Sequence, residues 1–282
     1  MGRGPGEFED IAWAGMCNDS LLHVWDPILR RLSVVDERGS IRVLPTPFEG
    51  VGRVYRVRCG KGKMILMSWP TLDPATPPGP WRSNVGLYLA DDRGMNVRRI
   101  GTVSGPDRLR FAKTDGPRPL GRQPHFAIGQ DWAYVNTGDD QAIQRISLDG
   151  GVSDTIGPRE PGRRRTPGDI AIFLDSVAGP GASRERRQDA ARFYADHQYP
   201  ARIPAYKGML VGPDDNVYVE EYPQVDRPGR WLGFSNGTRP RVIIEVPRGF
   251  SLHQLGRDWV LGIVWTPEGE PIIREFPLVR QR

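Results

Sequence analysis

An all-β fold of short antiparallel sheets set radially about an axis is what this sequence predicts, on three observations. Clusters suited to tight reversals recur as Asp36-Glu37-Arg38-Gly39, Asp91-Asp92-Arg93-Gly94, Leu148-Asp149-Gly150-Gly151 and Ser235-Asn236-Gly237-Thr238. Gly and Asn tolerate the positive φ that a hairpin turn requires. Each cluster lies between short runs of alternating apolar residues, which is the period of a strand with one face more deeply buried. The reversals return at intervals of roughly half a hundred residues, as in a β-propeller built from four-stranded blades.

Taking each blade as four strands from the hub outward, the first (about 9–46) has strands near 11–14, 21–25, 32–35 and 40–44. Leu32 and Val34, then Ile41 and Val43, supply its alternation. The second (about 53–102) repeats the plan at 53–58, 64–68, 85–90 and 96–101. Between its second and third strands lies Trp69 to Trp81, expected to be a surface loop because it is too rich in proline to pair in a sheet. The third blade (about 122–157) has strands near 124–128, 132–136, 143–148 and 152–156.

A helical insert is predicted at about 166–197. Thr166 can cap it, Pro167 suits the first helical position, and Asp169 favours the positive end of the dipole. Ile170, Phe173, Leu174 and Val177 then share one face. Gly179-Pro180-Gly181 breaks this helix from a second, near 184–196, that is mostly charged. The fourth blade (about 204–247) has strands near 208–211, 217–222, 230–234 and 241–246. The fifth (about 249–278) has only three, near 251–255, 259–265 and 272–276, since little chain follows Pro277.

The chain has 282 residues, 38% apolar and 26% charged, with 34 Gly and 27 Pro, which suits a folded domain made largely of turns. No apolar run approaches a membrane span, and Met1 to Gly6 lack the apolar segment of a secretory signal. The net charge of +5 is carried almost entirely by arginine. Because the arginines are spread among acids, and the clusters at 163–165 and 184–187 lack interleaved aromatics, no nucleic-acid partner is expected. Cys17 and Cys59 permit one disulfide and argue against a zinc site. They follow the innermost strands of adjacent blades, where Cα separations commonly exceed the roughly 7 Å limit, so they are expected to stay unbonded.

No nucleophile elbow, phosphate loop or dinucleotide fingerprint is present. Of the four histidines, only His125 and His253 fall on inner strands. Aligning 126–132 with 253–259 sets His253 opposite Phe126, so the two rings are expected on opposite blade faces, unsuited to a shared metal. Glu220, Asn136 and Asp258 are the candidates for a hub calcium site, but all lie within or at the start of second strands. Asp131 and Asp258, each before a Trp, are read as turn residues. Trp25, Arg122, Tyr206, Glu220 and Tyr222 lie near strand ends, where loops from every blade meet, and are the candidate binding residues. No cofactor is expected.

Several stretches carry a resemblance. Gly2-Arg3-Gly4-Pro5-Gly6-Glu7-Phe8, Asp26 with Arg30-Arg31-Leu32-Ser33-Val34-Val35-Asp36, Pro204 to Val211 with Asn216-Val217-Tyr218-Val219, and Gly256 to Gly262 resemble bacterial six-bladed β-propeller proteins related to the NHL-repeat group. The likeness spans essentially the whole chain. It implies six blades and export or lipid anchoring, whereas this chain starts at the G-P-G-E-F loop with five recognisable blades. With one blade missing, two apolar faces look into a gap. The chain is then expected to tighten to five blades, to self-associate through the open edge, or to be a truncated gene product, the last being preferred.

Together these readings point to a non-catalytic recognition or scaffolding propeller that presents loops to a protein, peptide or glycan partner. The alternatives are a lactonase-like, metal-dependent propeller hydrolase and a truncated product without activity.

Overall fold

The computed structural model describes residues 4, 6–17, 21–45, 47–73, 75–111, 114–149, 153–179, 181–225, 227–266 and 268–279. Gly2, Arg3 and Pro5 of the opening loop, Asn18, Pro74, Lys113, the Gly150-Gly151 turn with Val152, and Pro180 lie outside them.

The first blade is a meander of β1 (Trp13–Met16), β2 (Leu22–Asp26), β3 (Arg31–Val35) and β4 (Ile41–Leu44). β1 begins two residues later than the alternation suggests, because Asp26 captures the chain ahead of it. This buried carboxylate accepts the backbone N–H groups of Glu9 at 2.8 Å and Asp10 at 3.3 Å, and those of Ile28 at 3.0 Å and Leu29 at 2.9 Å. Burial alone would raise its pKa, but these donors outweigh it and hold the carboxyl below its usual range. Asp26 therefore fixes both the entry to β1 and the turn after β2.

The second blade runs β5 (Val54–Gly60), β6 (Lys63–Ser68), β8 (Asn84–Asp91) and β9 (Arg98–Ser104), with the short β7 (Gly79–Trp81) between β6 and β8 in the chain. The reversals after β3 and β8 use the same chemistry. Asp36 Oδ1 accepts from the N–H of Arg38 and Ser40, both at 2.9 Å, and Asp91 Oδ1 from Arg93 at 3.0 Å and Met95 at 2.8 Å. Gly39 and Gly94 take φ of 77° and 73°, left-handed values that a side chain would oppose.

The proline-rich stretch departs from expectation. β7 pairs antiparallel with β10 (Arg108–Arg110), which pairs in turn with β11 (Asp115–Pro117), giving a small three-stranded sheet distinct from the blades. Pro80 is tolerated because β7 is an edge strand, where a missing N–H leaves no ladder bond unmade.

The third blade comprises β12 (His125–Ile128), β13 (Trp132–Asn136), β14 (Ile143–Ser147) and β15 (Ser153–Ile156). Two helices follow, α1 (Pro167–Ala178) and α2 (Arg184–Tyr194). The fourth blade is β16 (Tyr206–Val211), β17 (Val217–Glu221), β18 (Gly229–Phe234) and β19 (Val242–Val246). The fifth has three strands, β20 (Phe250–Leu255), β21 (Trp259–Trp265) and β22 (Pro271–Pro277). No described helix is long and apolar enough to cross a membrane.

The innermost strands pack in sequence, β1 on β5, β5 on β12, β12 on β16 and β16 on β20, which makes the arrangement radial. Four buried clusters join neighbouring blades. Trp25, Leu32, Val57 and Leu66 lie between blades one and two, and Ile65, Leu87, Phe126 and Val135 between two and three. Tyr134, Tyr206, Val219 and Phe234 join three to four, and Tyr218, Trp231, Phe250 and Leu255 join four to five. Among the described residues no such cluster joins blade five to blade one, and Ile273 on β22 is 72% exposed. Among the described residues these sheets form a β-propeller of five blades.

Cys17 and Cys59 are disulfide-bonded, with Cα atoms 4.8 Å apart, which corrects the expectation that they stay free. Close approach of the first two inner strands brings the end of β1 onto β5. The Gly62 N–H donates to the Cys17 carbonyl at 2.6 Å and locks the same junction.

Candidate functional site

One cavity of about 330 Å³ opens where α1, the segment before β12 and the end of the fourth blade meet. α1 stands over it because its N-terminus is firmly anchored. The backbone N–H of Thr166 donates to Asp169 Oδ2 at 2.7 Å, the Thr166 hydroxyl donates to it at 2.9 Å, and Arg163 clasps the same carboxylate from outside the helix. Burial pushes the Asp169 pKa up, but these donors prevail and hold it below the usual range. Burying Asp169 also rotates the helix from the face read in its apolar pattern. Asp169, Ile172, Phe173 and Ser176 line the cavity, while Val177 is exposed.

The fourth blade contributes Lys207 and Tyr222. Successive side chains of β16 face opposite ways, so that Tyr206 is buried in the core while Lys207 reaches the cavity. Lys207 Nζ meets Glu220 Oε1 at 2.9 Å. Burial raises the Glu220 pKa, and Lys207 offsets part of that rise. The Tyr222 hydroxyl is pushed up to about 12 by burial, with the nearby Glu220 and Asp169 carboxylates adding to the shift. Tyr222 thus stays protonated at neutral pH and can donate a hydrogen bond into the cavity.

Arg118 lines this cavity and also a second one, of about 250 Å³, whose wall includes Arg122 and Asp139. The Arg118 guanidinium donates from Nε to the Gln198 carbonyl at 2.8 Å. Burial lowers its pKa, Asp107 counteracts this, and Arg122 adds to the lowering.

The five candidate residues separate. Tyr222 lines the first cavity and Glu220 pairs with Lys207 at its wall, whereas Arg122 borders the second cavity within an ionic network. Trp25 is 3% exposed and packs edge-on to Phe48 at 4.9 Å in the core between blades one and two. Tyr206 is 1% exposed. Lys207, Arg118 and Phe173 were missed by sequence reasoning. The only sequence signal for Lys207 is its rarity, as one of four lysines.

Two of the candidate calcium residues are otherwise engaged, Glu220 by Lys207 and Asn136 by the backbone around it. The Asn136 amide donates to the Asp140 and Ala142 carbonyls at 2.9 and 2.8 Å, and its oxygen accepts from Gly138. The backbone carbonyls of Asp131 and Asp258 accept from Leu148 at 2.9 Å and Leu278 at 2.7 Å, tying the turn after each inner strand to the end of the third. Among the described residues no three His, Cys, Asp or Glu side chains gather so as to hold a metal ion.

His125 and His253 both lie on innermost strands, as expected. The register shift between Leu252 and Gln254 falls on His253 and breaks the alternation, and the Arg58 charge acts on both rings.

No family model and no curated relative matches the chain. Among solved structures it is similar to a luciferin-regenerating enzyme, at 9% identity and TM-score 0.42 over 90% of this chain and 70% of that one. It is also similar to a putative gluconolactonase, at 12% identity and TM-score 0.42 over 96% and 79% of the two chains. A streptogramin B lyase aligns at 12% identity and TM-score 0.39 over 96% and 84%. Likeness at this level decides nothing about substrate or activity.

Proposed function

We propose that this chain is a non-catalytic recognition propeller that binds a peptide in the cavity beneath α1. The carrying observation is a cavity of about 330 Å³, within the range of small-ligand sites, whose apolar walls of Leu120, Ile172 and Phe173 are joined by Lys207 and Tyr222. An apolar side chain of the partner would sit against Phe173, while the Tyr222 hydroxyl and the Lys207 ammonium offer donors to its backbone or to an acidic group. Resemblance to six-bladed NHL-related propellers and to exported proteins belongs to the same proposal. The Cys17–Cys59 disulfide supports an oxidising setting.

Binding to peptide and glycan arrays, followed by calorimetry on the best ligands, tests the reading. Phe173→Ala and Tyr222→Ala are expected to weaken the interaction about tenfold or more while the fold is retained. Stoichiometric calcium or zinc in purified protein, removed with loss of a lactonase-type activity, would overturn it in favour of the hydrolase alternative.

A further inference from the structure

The hub collects positive charge, and among the described residues no carboxylate pairs with it. Arg56 and Arg58 lie on β5, the innermost strand of blade two, and point away from the side that Val57 buries against blade one. Arg58 Nη1 donates to the Val57 carbonyl at 2.9 Å, and its guanidinium lies 5.9 Å from the Phe126 ring centroid on blade three. Arg56 Nη1 reaches the Pro124 carbonyl at 3.4 Å. Among the described residues neither guanidinium has a carboxylate within ion-pair distance, whereas Arg82, Arg108, Arg122, Arg145 and Arg230 are each paired.

His125 extends the same surface from blade three, its ring N–H donating to the Tyr206 carbonyl of blade four. His253 approaches from blade five, and it and Gln254 are exposed although they lie on an innermost strand, so the hub is open to solvent. The mutual effect of these groups is repulsive throughout. Burial and then Arg56 lower the Arg58 pKa to about 10, while burial, Arg56 and Arg58 lower that of His125 to about 3. Burial and Arg58 lower that of His253.

A guanidinium carries five N–H donors in a planar fork. Half-burying two of them side by side, each with a single carbonyl as its hydrogen-bonded partner, leaves further donors that an anion can complete. We propose that the propeller hub is a binding site for a small oxyanion, such as the phosphate or carboxylate group of an acidic metabolite, held by the forks of Arg56 and Arg58 with His253 at its rim. The fork geometry accepts two oxygens at once, which chloride cannot supply. None of Arg56, Arg58 and His253 is among the residues that line the cavity beneath α1.

The test is calorimetric titration of the purified chain with sodium phosphate, and separately with sodium acetate, against sodium chloride at matched ionic strength. Saturable binding of at least one oxyanion, with thermal stabilisation at the same concentrations, is expected. Arg58→Met should weaken it about tenfold or more. Without oxyanion, the same variant should be at least as thermostable as the parent, because it removes an uncompensated charge, whereas a merely structural arginine would leave it less stable. Arg56→Met serves as a second probe should Arg58→Met not fold. Absence of saturable oxyanion binding in the parent, or unchanged binding in these variants, would overturn the proposal.

Discussion

Arg122 wraps around Asp107. Its Nε donates to both carboxylate oxygens, at 3.2 and 3.0 Å, and its Nη2 donates to Oδ1 at 3.0 Å. The remaining Nη1 donates to Asp139 at 2.6 Å, where Arg82 Nη1 arrives at the same distance. Arg82 comes from blade two, Asp139 from the loop after the second strand of blade three, and Asp107 and Arg122 from the chain between them. One ionic network therefore fastens two blades and the intervening segment. Asp107→Ala leaves two guanidiniums competing for Asp139 and frees the Arg122 N–H that Asp107 accepts at 3.0 Å. The expected loss is about 1 to 3 kcal/mol, moderated by hydration of Arg122. A lower urea midpoint with unchanged m-value is the readout, and a midpoint equal to that of the parent would contradict it.

The Cys17–Cys59 bond closes a sequence separation of 42 residues around the first blade. Constraining the unfolded chain over such a loop contributes about 4 kcal/mol or less. Adding a reductant should lower the thermal midpoint of the parent and leave that of the Cys17→Ser, Cys59→Ser double variant unmoved. Equal midpoints with and without reductant would mean that the bond contributes nothing.

Which features could be read in the sequence follows from how local their causes are. The hairpins after β3 and β8 were legible because Asp36 and Asp91 bond amides two and four residues ahead, and Gly39 and Gly94 supply positive φ, all within one short window. The anchoring of α1 by Thr166 and Asp169 is equally local. What escaped depends on neighbours distant in sequence. The disulfide needs the spacing of two inner strands, and β7 needs β10 beside it before Pro80 can be seen as an edge residue. Burial of Asp169 against Arg163 outweighs the Ile170 to Val177 stripe in setting the helix face. The register shift on β20 falls on His253, and alternation counted along a single strand cannot detect it.

His125 makes stability depend on pH in a defined direction. Its folded-state pKa is lowered to about 3 from 6.5, by burial first and then by Arg56 and Arg58. Above the unfolded value both states are neutral and nothing is lost. As pH falls below it, the unfolded chain takes up a proton that the folded chain refuses, so stability declines toward about pH 3 by at most about 1.4 kcal/mol per pH unit. His23 and His253 are lowered too and act in the same sense. His125→Gln, which keeps a donor for the Tyr206 carbonyl, should flatten the decline between pH 6.5 and about 4.5 in chloride buffer, where the raised Glu220 carboxyl contributes alike to parent and variant. Urea titrations at several pH values measure it, and an unchanged slope in the variant would rule out His125 as the source.

The outer strand of blade five carries the last consequence. Among the described residues β22 pairs only with β21, and along it Ile272 and Ile273 are 38% and 72% exposed, with Trp265 42% exposed at the end of the neighbouring strand. An edge with unpaired backbone groups and exposed β-branched side chains invites a second strand. The same residues stand at the side of the ring where no buried cluster links the fifth blade to the first. Concentration-dependent association of the parent chain is therefore expected in sedimentation velocity. Ile273→Lys places a charge on that edge without uncovering any core residue, so it should reduce association while leaving the thermal midpoint within about 1 °C, as for a surface change of a few tenths of a kcal/mol. A parent chain that stays monomeric at high concentration, or a variant that associates equally, would show that this edge is not adhesive.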